Sequence, residues 1–320
     1  MITVERLTKH YGSTLAVDDL SFSLPPGIVT GFLGPNGSGK STTMRMMLDL
    51  DLPERGQVRI DGKAYSDLRW PLREVGGLLE AKSVHPGRSA YNHLLVLAQS
   101  NDIPKRRVAE VLDLVGLSSV AAKRAGTFSL GMSQRLGMAT ALLGDPGVLL
   151  FDEPVNGLDP EGIRWVRLLL RHLASEGRTV FVSSHLMSEM ALTADHVVVI
   201  GKGRLIADAP MRDFVTQRSA VRVRVRSPRL GDLVSSLQGR PGVAVEATDG
   251  AAEISGIGAP EIGDLAASQG IAIHELTPMT VSLEEAFMEL TEDSAEFRAS
   301  PAPPGGKDAN ALPAESAGAR

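Results

Sequence analysis

The segment GPNGSGKST at 34–42 constrains this chain more than any other. It follows an apolar run at 28–33 and leads into a helix-like segment at 40–50. Strand, glycine-rich loop and helix in that order build a cradle, because loop N–H groups turn inward at a helix N-terminus where the dipole favours a polyphosphate. Gly34, Gly37 and Gly39 permit the tight backbone, with Pro35, Asn36 and Ser38 between them. Lys40 would reach the β- and γ-phosphates, the Ser41 hydroxyl would ligate Mg²⁺ and Thr42 would sit by the α-phosphate. A glycine-rich turn that binds nothing is the competing reading; the glycine spacing, the Lys-Ser pair and the flanking elements together argue against it.

A second motif, VLLFDEP at 148–154, places apolar residues before two adjacent carboxylates. Neighbouring residues on a strand point to opposite sides, so Asp152 and Glu153 can hold different jobs. Asp152 would hold Mg²⁺ through a water, and Glu153 would orient or deprotonate the water attacking the γ-phosphate. Alone, this pattern reads as a strand meeting solvent. The phosphate loop upstream reverses that reading.

At 320 residues the chain is long enough for two domains, each with its own core. Lys plus Arg number 33 against 38 for Asp plus Glu, a net charge of −5, which does not suit wholesale nucleic-acid binding. With no cysteine there is no disulfide framework and no thiolate metal site, as suits a reducing compartment. The first residues, MITVERLTKHYG, lack the pattern of a secretory signal, and no window has the roughly 18 apolar residues of a membrane span. The expectation is a chain that stays in the cytoplasm and relies on a partner for any span.

Strands are expected at 2–7, 15–24, near 56–62 with an Asp61-Gly62 turn, and at 148–151, 179–183 and 196–200. Helical periodicity occupies 90–115, 129–143, 161–175 and 186–193. Alternation of strands and helices predicts a parallel α/β sheet with nucleotide at its carboxyl edge. After about residue 215 the pattern changes: strands at 221–226, 243–247, 252–257 and 271–276, with helices at 230–237 and 261–269, read as βαββαβ, a small ferredoxin-like domain. An amphipathic helix at 283–290 precedes a tail rich in Pro, Ala, Gly and Ser. The expected division is 1–215, 219–291 and a disordered 292–320. No internal repeat is present.

Three further segments complete a recognisable set. Tyr11, FSLGMSQR at 128–135, GLDP at 157–160 and His185 after Ser183-Ser184 follow the order of the two motifs above. With them the chain resembles the ATP-binding subunit of an ATP-binding-cassette (ABC) transporter over roughly residues 1–210. The resemblance implies a P-loop NTPase cassette with an antiparallel β subdomain and a helical subdomain. It implies that Tyr11 stacks on adenine, that Ser129 and Gly131 of the signature contact the γ-phosphate of a facing cassette, that Asp159 lies in the loop crossing between subunits, and that His185 contacts the γ-phosphate. Two cassettes would close head to tail on ATP, as a homodimer at the cytoplasmic face of the cell membrane, and drive a separately encoded permease. Lys40, Glu153 and His185 would carry catalysis, with ATP and Mg²⁺ bound.

Two departures stand out against the family pattern. Glu80 occupies the place of the usual glutamine, where a carboxylate can still bind Mg²⁺ or its water but adds negative charge. Leu130 and Met132 replace the first glycine and the glutamine of the usual LSGGQ signature. Glu80 and the SLGM sequence, together with the extra C-terminal domain, resemble the exporters of drugs, antibiotics, lipids or polysaccharides. The other classes considered are a soluble cassette ATPase on ribosomes or DNA, which usually has two cassettes or a coiled-coil insertion, and an ATP-gated module without turnover.

Other features carry less. His10, His85, His93, His172, His196 and His274 fall at no metal-ligand spacing. Arg222, Arg224 and Arg226 alternate on one strand face, a solvated face or a contact for a partner or lipid headgroups. Met44, Met46 and Met47 read as core filler.

Overall fold

A computed structural model describes residues 1–81, 83–218, 221–248 and 250–280. Val29–Leu33, Val148–Asp152 and Thr179–Ser184 are buried along their whole length, as strands covered on both faces must be. They lie inside a six-stranded sheet ordered Val75–Leu78, Val148–Asp152, Thr179–Ser184, Val29–Leu33, His196–Gly201, Arg204–Pro210. All neighbours pair parallel except Arg204–Pro210, which returns antiparallel at one edge.

Period-two alternation sends the side chains of these strands into two cores. Leu33, Leu149, Phe151, Val180 and Val182 join the core that includes Leu94, Val108 and Leu136 of the helices. Phe32, Leu150 and Phe181 point the other way, with Met44, Met46 and Met47 filling space beside them. There Phe32 and Phe181 meet Phe22, with ring centroids 4.9 to 5.7 Å apart. Burying each phenylalanine is worth about 1.5–3 kcal/mol, so this triad fastens the two sheets face to face.

The second sheet is antiparallel, ordered Thr14–Leu24, Ile2–Tyr11, Arg55–Ile60. Asp61 and Gly62 both take positive φ, 46° and 81°, the tight-turn geometry that an Asp-Gly pair favours. The helical run expected over 90–115 is two helices, Ala90–Ser100 and Arg106–Leu114. Between them Asp102 sits at φ 53° and Pro104 lacks an N–H, so the helix cannot continue. Leu130–Leu142 packs against both the sheet and these helices. Two strands escaped the sequence reading, Val75–Leu78 and Arg204–Pro210, and the last expected strand begins later, as Glu275–Thr280.

The C-terminal elements run Val221–Arg226, Leu230–Leu237, Ala244–Thr248, Ala251–Ser255, Ala259–Ser268, Glu275–Thr280. The strands form an antiparallel sheet ordered Ala244–Thr248, Ala251–Ser255, Val221–Arg226, Glu275–Thr280. Val223, Val225, Leu233, Ile254 and Ile262 fill a separate core. Arg224 and Arg226, on the other face, pair with Glu275 at 3.8 and 3.2 Å. The helix expected at 283–290 and the tail beyond it lie outside the described residues. Among the described residues, no helix is long and apolar enough to cross a membrane.

Candidate functional site

Four neighbouring strands deliver their ends to one edge of the large sheet. Val29–Leu33 runs into the glycine-rich loop, and the helix Lys40–Met47 starts behind it. Gly37 and Gly39 hold φ of 82° and 101°, which L side chains rarely adopt. A Cβ at Gly39 would also strike the Ala16 carbonyl oxygen, so the loop closes only with glycine there. The result is an open cleft of about 210 Å³ that joins residues 36–42 with Ala16, Asp152 and Glu153.

Lys40 is 7% exposed and donates to the carbonyl oxygens of Gly34 at 2.6 Å and Pro35 at 3.2 Å. Burial pushes its ammonium below the usual lysine range, and the carboxylates of Glu153 and Asp152 pull it part of the way back. Ser38 Oγ, also buried, has no partner among the described residues.

Asp152 and Glu153 are held by the strand beside them. Parallel register sets Asp152 opposite Ser183, whose hydroxyl donates to Asp152 Oδ1 and accepts from the Glu153 N–H at 2.9 Å. Glu153 takes φ 49°, a left-handed conformation that costs a non-glycine residue energy. His185 Nδ1 lies 2.9 Å from Glu153 Oε2. The two therefore meet although 31 residues separate them in sequence. Glu80 is exposed just past Val75–Leu78, the neighbour of Val148–Asp152 on its other side.

Tyr11 sits at the far end of Ile2–Tyr11, 46% exposed. Its hydroxyl donates to Asp51 Oδ2 at 2.5 Å, and Arg45, on the helix that begins at Lys40, grips the same carboxylate through Nε at 2.6 Å. Partial burial and the Asp51 hydrogen bond raise the Tyr11 phenol above its ordinary value, while Arg45 holds Asp51 below the usual carboxylate range.

Ser129 and Asp159 each cap a helix. The Ser129 hydroxyl accepts from the Met132 N–H at 3.2 Å at the start of Leu130–Leu142, and Asp159 Oδ1 accepts from the Gly162 N–H at 2.9 Å at the start of Pro160–Ser175. Leu130 lies directly against Gly157, so the substituted signature position packs on the loop that contains Asp159. Ser129 is exposed and does not line the cleft around Lys40, and neither do Gly131, Asp159, Glu80 or His185 among the described residues.

Several participants escaped the sequence reading. Gln134, buried within Leu130–Leu142, donates through Nε2 to the Glu153 carbonyl at 2.9 Å; its only signal was a polar residue on an otherwise apolar helix face. Asp51 carried no signal at all. Among the described residues no group of three or more His, Asp or Glu side chains is placed to hold a metal. His10 and His196 instead pair with Glu54 and Asp208.

Comparison with known proteins settles the class. The family model described as ABC transporter matches residues 17–156, and one described as a domain of unknown function (DUF8746) matches 221–284. An uncharacterized ABC transporter ATP-binding protein of Bacillus subtilis, YhcH, is 36% identical over 307 residues, 92% of this chain and 97% of that protein. The chain belongs to the ABC transporter ATP-binding proteins. It is an ATP-binding cassette and an ATPase. A bacitracin transport ATP-binding protein of Bacillus licheniformis, BcrA, is 42% identical over 68% of the chain and 72% of its own length. In fold the cassette is similar to a bacterial ABC transporter cassette solved as a dimer, with a TM-score of 0.62 at 24% identity over 66% of this chain and 99% of that one.

Proposed function

We propose that this cassette hydrolyses ATP as one half of a homodimer at the cytoplasmic face of the membrane, and that the cycle drives a separately encoded permease exporting a drug-like, lipid or polysaccharide compound. One observation carries the reading: Lys40, Ser41, Thr42, Asp152 and Glu153 share a cleft, while Ser129 of the same chain lies outside it. A site that needs the signature is then completed only by a second copy.

In this reading the loop N–H groups and Lys40 bind the β- and γ-phosphates, exchanging the Gly34 and Pro35 carbonyls for phosphate oxygens. Tyr11, steadied by Asp51 and Arg45, presents its ring to adenine. Glu153 orients and deprotonates the attacking water, and His185, beside its carboxylate, holds the γ-phosphate. Ser129, Gly131 and Asp159 face the partner's nucleotide. The hydroxyl of Ser41 and the carboxylate of Asp152, hard oxygen donors in one cleft, suit Mg²⁺, and Glu80, which follows the strand paired with Val148–Asp152, would join them as a further oxygen donor. Magnesium bound there supplies charge neutralisation on the phosphates.

Export rests on the likeness to the bacitracin transport protein and on the departures at Glu80, Leu130 and Met132. The net charge of −5 argues against a nucleic-acid partner. We place the cassette at 1–215, an accessory domain at 219–291 and a tail at 292–320; the βαββαβ order and the strand order of the C-terminal sheet support a ferredoxin-like accessory domain. Steady-state phosphate release tests the core of this: Glu153→Gln should abolish turnover while retaining ATP, and Lys40→Ala should lose ATP affinity. Copurification of the wild type with an integral membrane protein is the expected mark of the transport role. Wild-type turnover by Glu153→Gln would overturn the assignment.

A further inference from the structure

The contact between Gln134 and Glu153 joins two parts of the machinery that the cleft keeps apart. Gln134 is 4% exposed, and its amide Nε2 donates to the Glu153 main-chain carbonyl at 2.9 Å. A carbonyl only accepts, so the amide must present its NH₂ there. The carbonyl belongs to the one residue of the site whose backbone is left-handed without being glycine. Such a conformation persists where surrounding contacts hold it. For Glu153 those contacts are the Ser183 hydroxyl on its N–H, His185 on its carboxylate and two donors on its carbonyl, the Asn156 N–H at 3.2 Å from within the same segment and Gln134 Nε2 at 2.9 Å from outside it.

Ser183 and His185 belong to the neighbouring strand and the residue just past it, whereas Gln134 comes from the helix capped by Ser129. Leu130 and Gln134 are four residues apart, on one face of that helix. Leu130 lies against Gly157 while Gln134 holds Glu153, so the helix grips the segment after Val148–Asp152 at two points. A helix is stiff along its axis, and displacement of its N-terminus moves both grips together.

We propose that Gln134 is a positioning residue for Glu153, and that through it the signature helix sets the aim of the base in its own chain. This rests on the homodimer reading above, in which Ser129 touches the nucleotide held by the partner. Closure on one nucleotide then adjusts the base at the other, coupling the two sites through a single buried amide.

The test is steady-state ATPase kinetics on the full chain carrying Gln134→Met, which keeps the side-chain length and removes the donor, and Gln134→Leu, which removes the donor with a shorter apolar side chain. ATP binding by a fluorescent nucleotide analogue and thermal melting accompany both. The expected result is a roughly ten- to hundredfold loss of kcat, of the size that misaiming a reacting group produces, with analogue affinity and melting temperature close to wild type and a reduced Hill coefficient for ATP. A kcat within twofold of wild type in a folded variant overturns the proposal. So does a parallel loss of kcat, affinity and melting temperature in both variants, which would mark Gln134 as a packing residue. Glu153→Gln in the same assay separates the levels: if it is inactive while Gln134→Met turns over normally, the functional reading stands and this inference falls, whereas an active Glu153→Gln removes the reading itself.

Discussion

Lys40 shows how a charged residue is kept buried at a cost. Its ammonium is almost fully buried, with its charge opposed by desolvation and answered by two loop carbonyls and two nearby carboxylates. A polyphosphate offers a better partner, so ligand binding should stabilise the fold strongly. At a hundredfold excess over Kd the linkage is worth about 2.7 kcal/mol. Lys40→Ala should abolish the ATP-dependent rise in melting temperature seen for the wild type; an unchanged rise would show that Lys40 does not hold the phosphates. Ser183 makes the complementary case. Ser183→Ala leaves a buried carboxylate oxygen and the Glu153 N–H without their shared partner, and chemical denaturation should report a loss of about 1–3 kcal/mol, with reduced turnover. The two residues differ in legibility. Lys40 is readable because the loop glycines and the carbonyls it bonds lie within a few positions along the chain. The partnership of Ser183 with Asp152 depends on the parallel register of two strands joined by a long crossover, which local pattern does not encode.

At the scale of elements, glycine decides where Leu130–Leu142 can sit. A Cβ on Gly76 would strike the Ala141 carbonyl oxygen, and one on Gly137 would meet Leu78, so helix and edge strand approach because neither side chain exists. Gly76 and its neighbour Gly77 also hid Val75–Leu78 from the sequence reading, since VGGL has a single β-branched residue to announce a strand. Gly76→Ala should therefore destabilise the cassette by about 1–3 kcal/mol, the usual cost of forcing atoms into a packed core; neutrality in denaturant titration would refute the close approach. A second helix contact titrates. His93 of Ala90–Ser100 lies 3.3 Å from Thr140 Oγ1 of Leu130–Leu142, and burial, then Arg88, lowers its pKa below the ordinary 6.5. A histidine with a depressed folded pKa binds fewer protons folded than unfolded, so stability falls as pH drops below about 6.5 and levels off beneath the folded pKa. His93→Gln should lose less melting temperature than the wild type between neutral and mildly acidic pH. Equal losses would show that His93 does not carry the effect. The helices themselves were legible from periodicity, and the break was legible too in Pro104 and the polar residues around it, a signal that the expectation of a single run over 90–115 passed over.

For the whole molecule, the decisive fact is the separation of Ser129 from the cleft around Lys40. If each catalytic site takes its phosphate loop from one chain and its signature from the other, two inactive variants can rescue each other. In a mixed dimer of Lys40→Ala with Ser129→Arg, one site combines both defects, and the other combines the intact loop of the second chain with the intact signature of the first. Random mixing makes half the dimers mixed, each with one sound site of two, so roughly a quarter of wild-type turnover should return when sites work independently. A site built within one chain gives a different outcome: each variant is dead in cis, and mixing restores nothing. The sequence alone pointed to this arrangement only through family resemblance, since no pattern along one chain states that its two halves of a site belong to different molecules. The structure adds the physical ground. Ser129 and Leu130 are exposed at the N-terminus of their helix and do not line the cleft around Lys40, which leaves the positive end of that helix dipole open to a phosphate brought by a second copy. Recovery of turnover on mixing, measured as phosphate release after the two purified variants are combined, is the result that a head-to-tail pair requires.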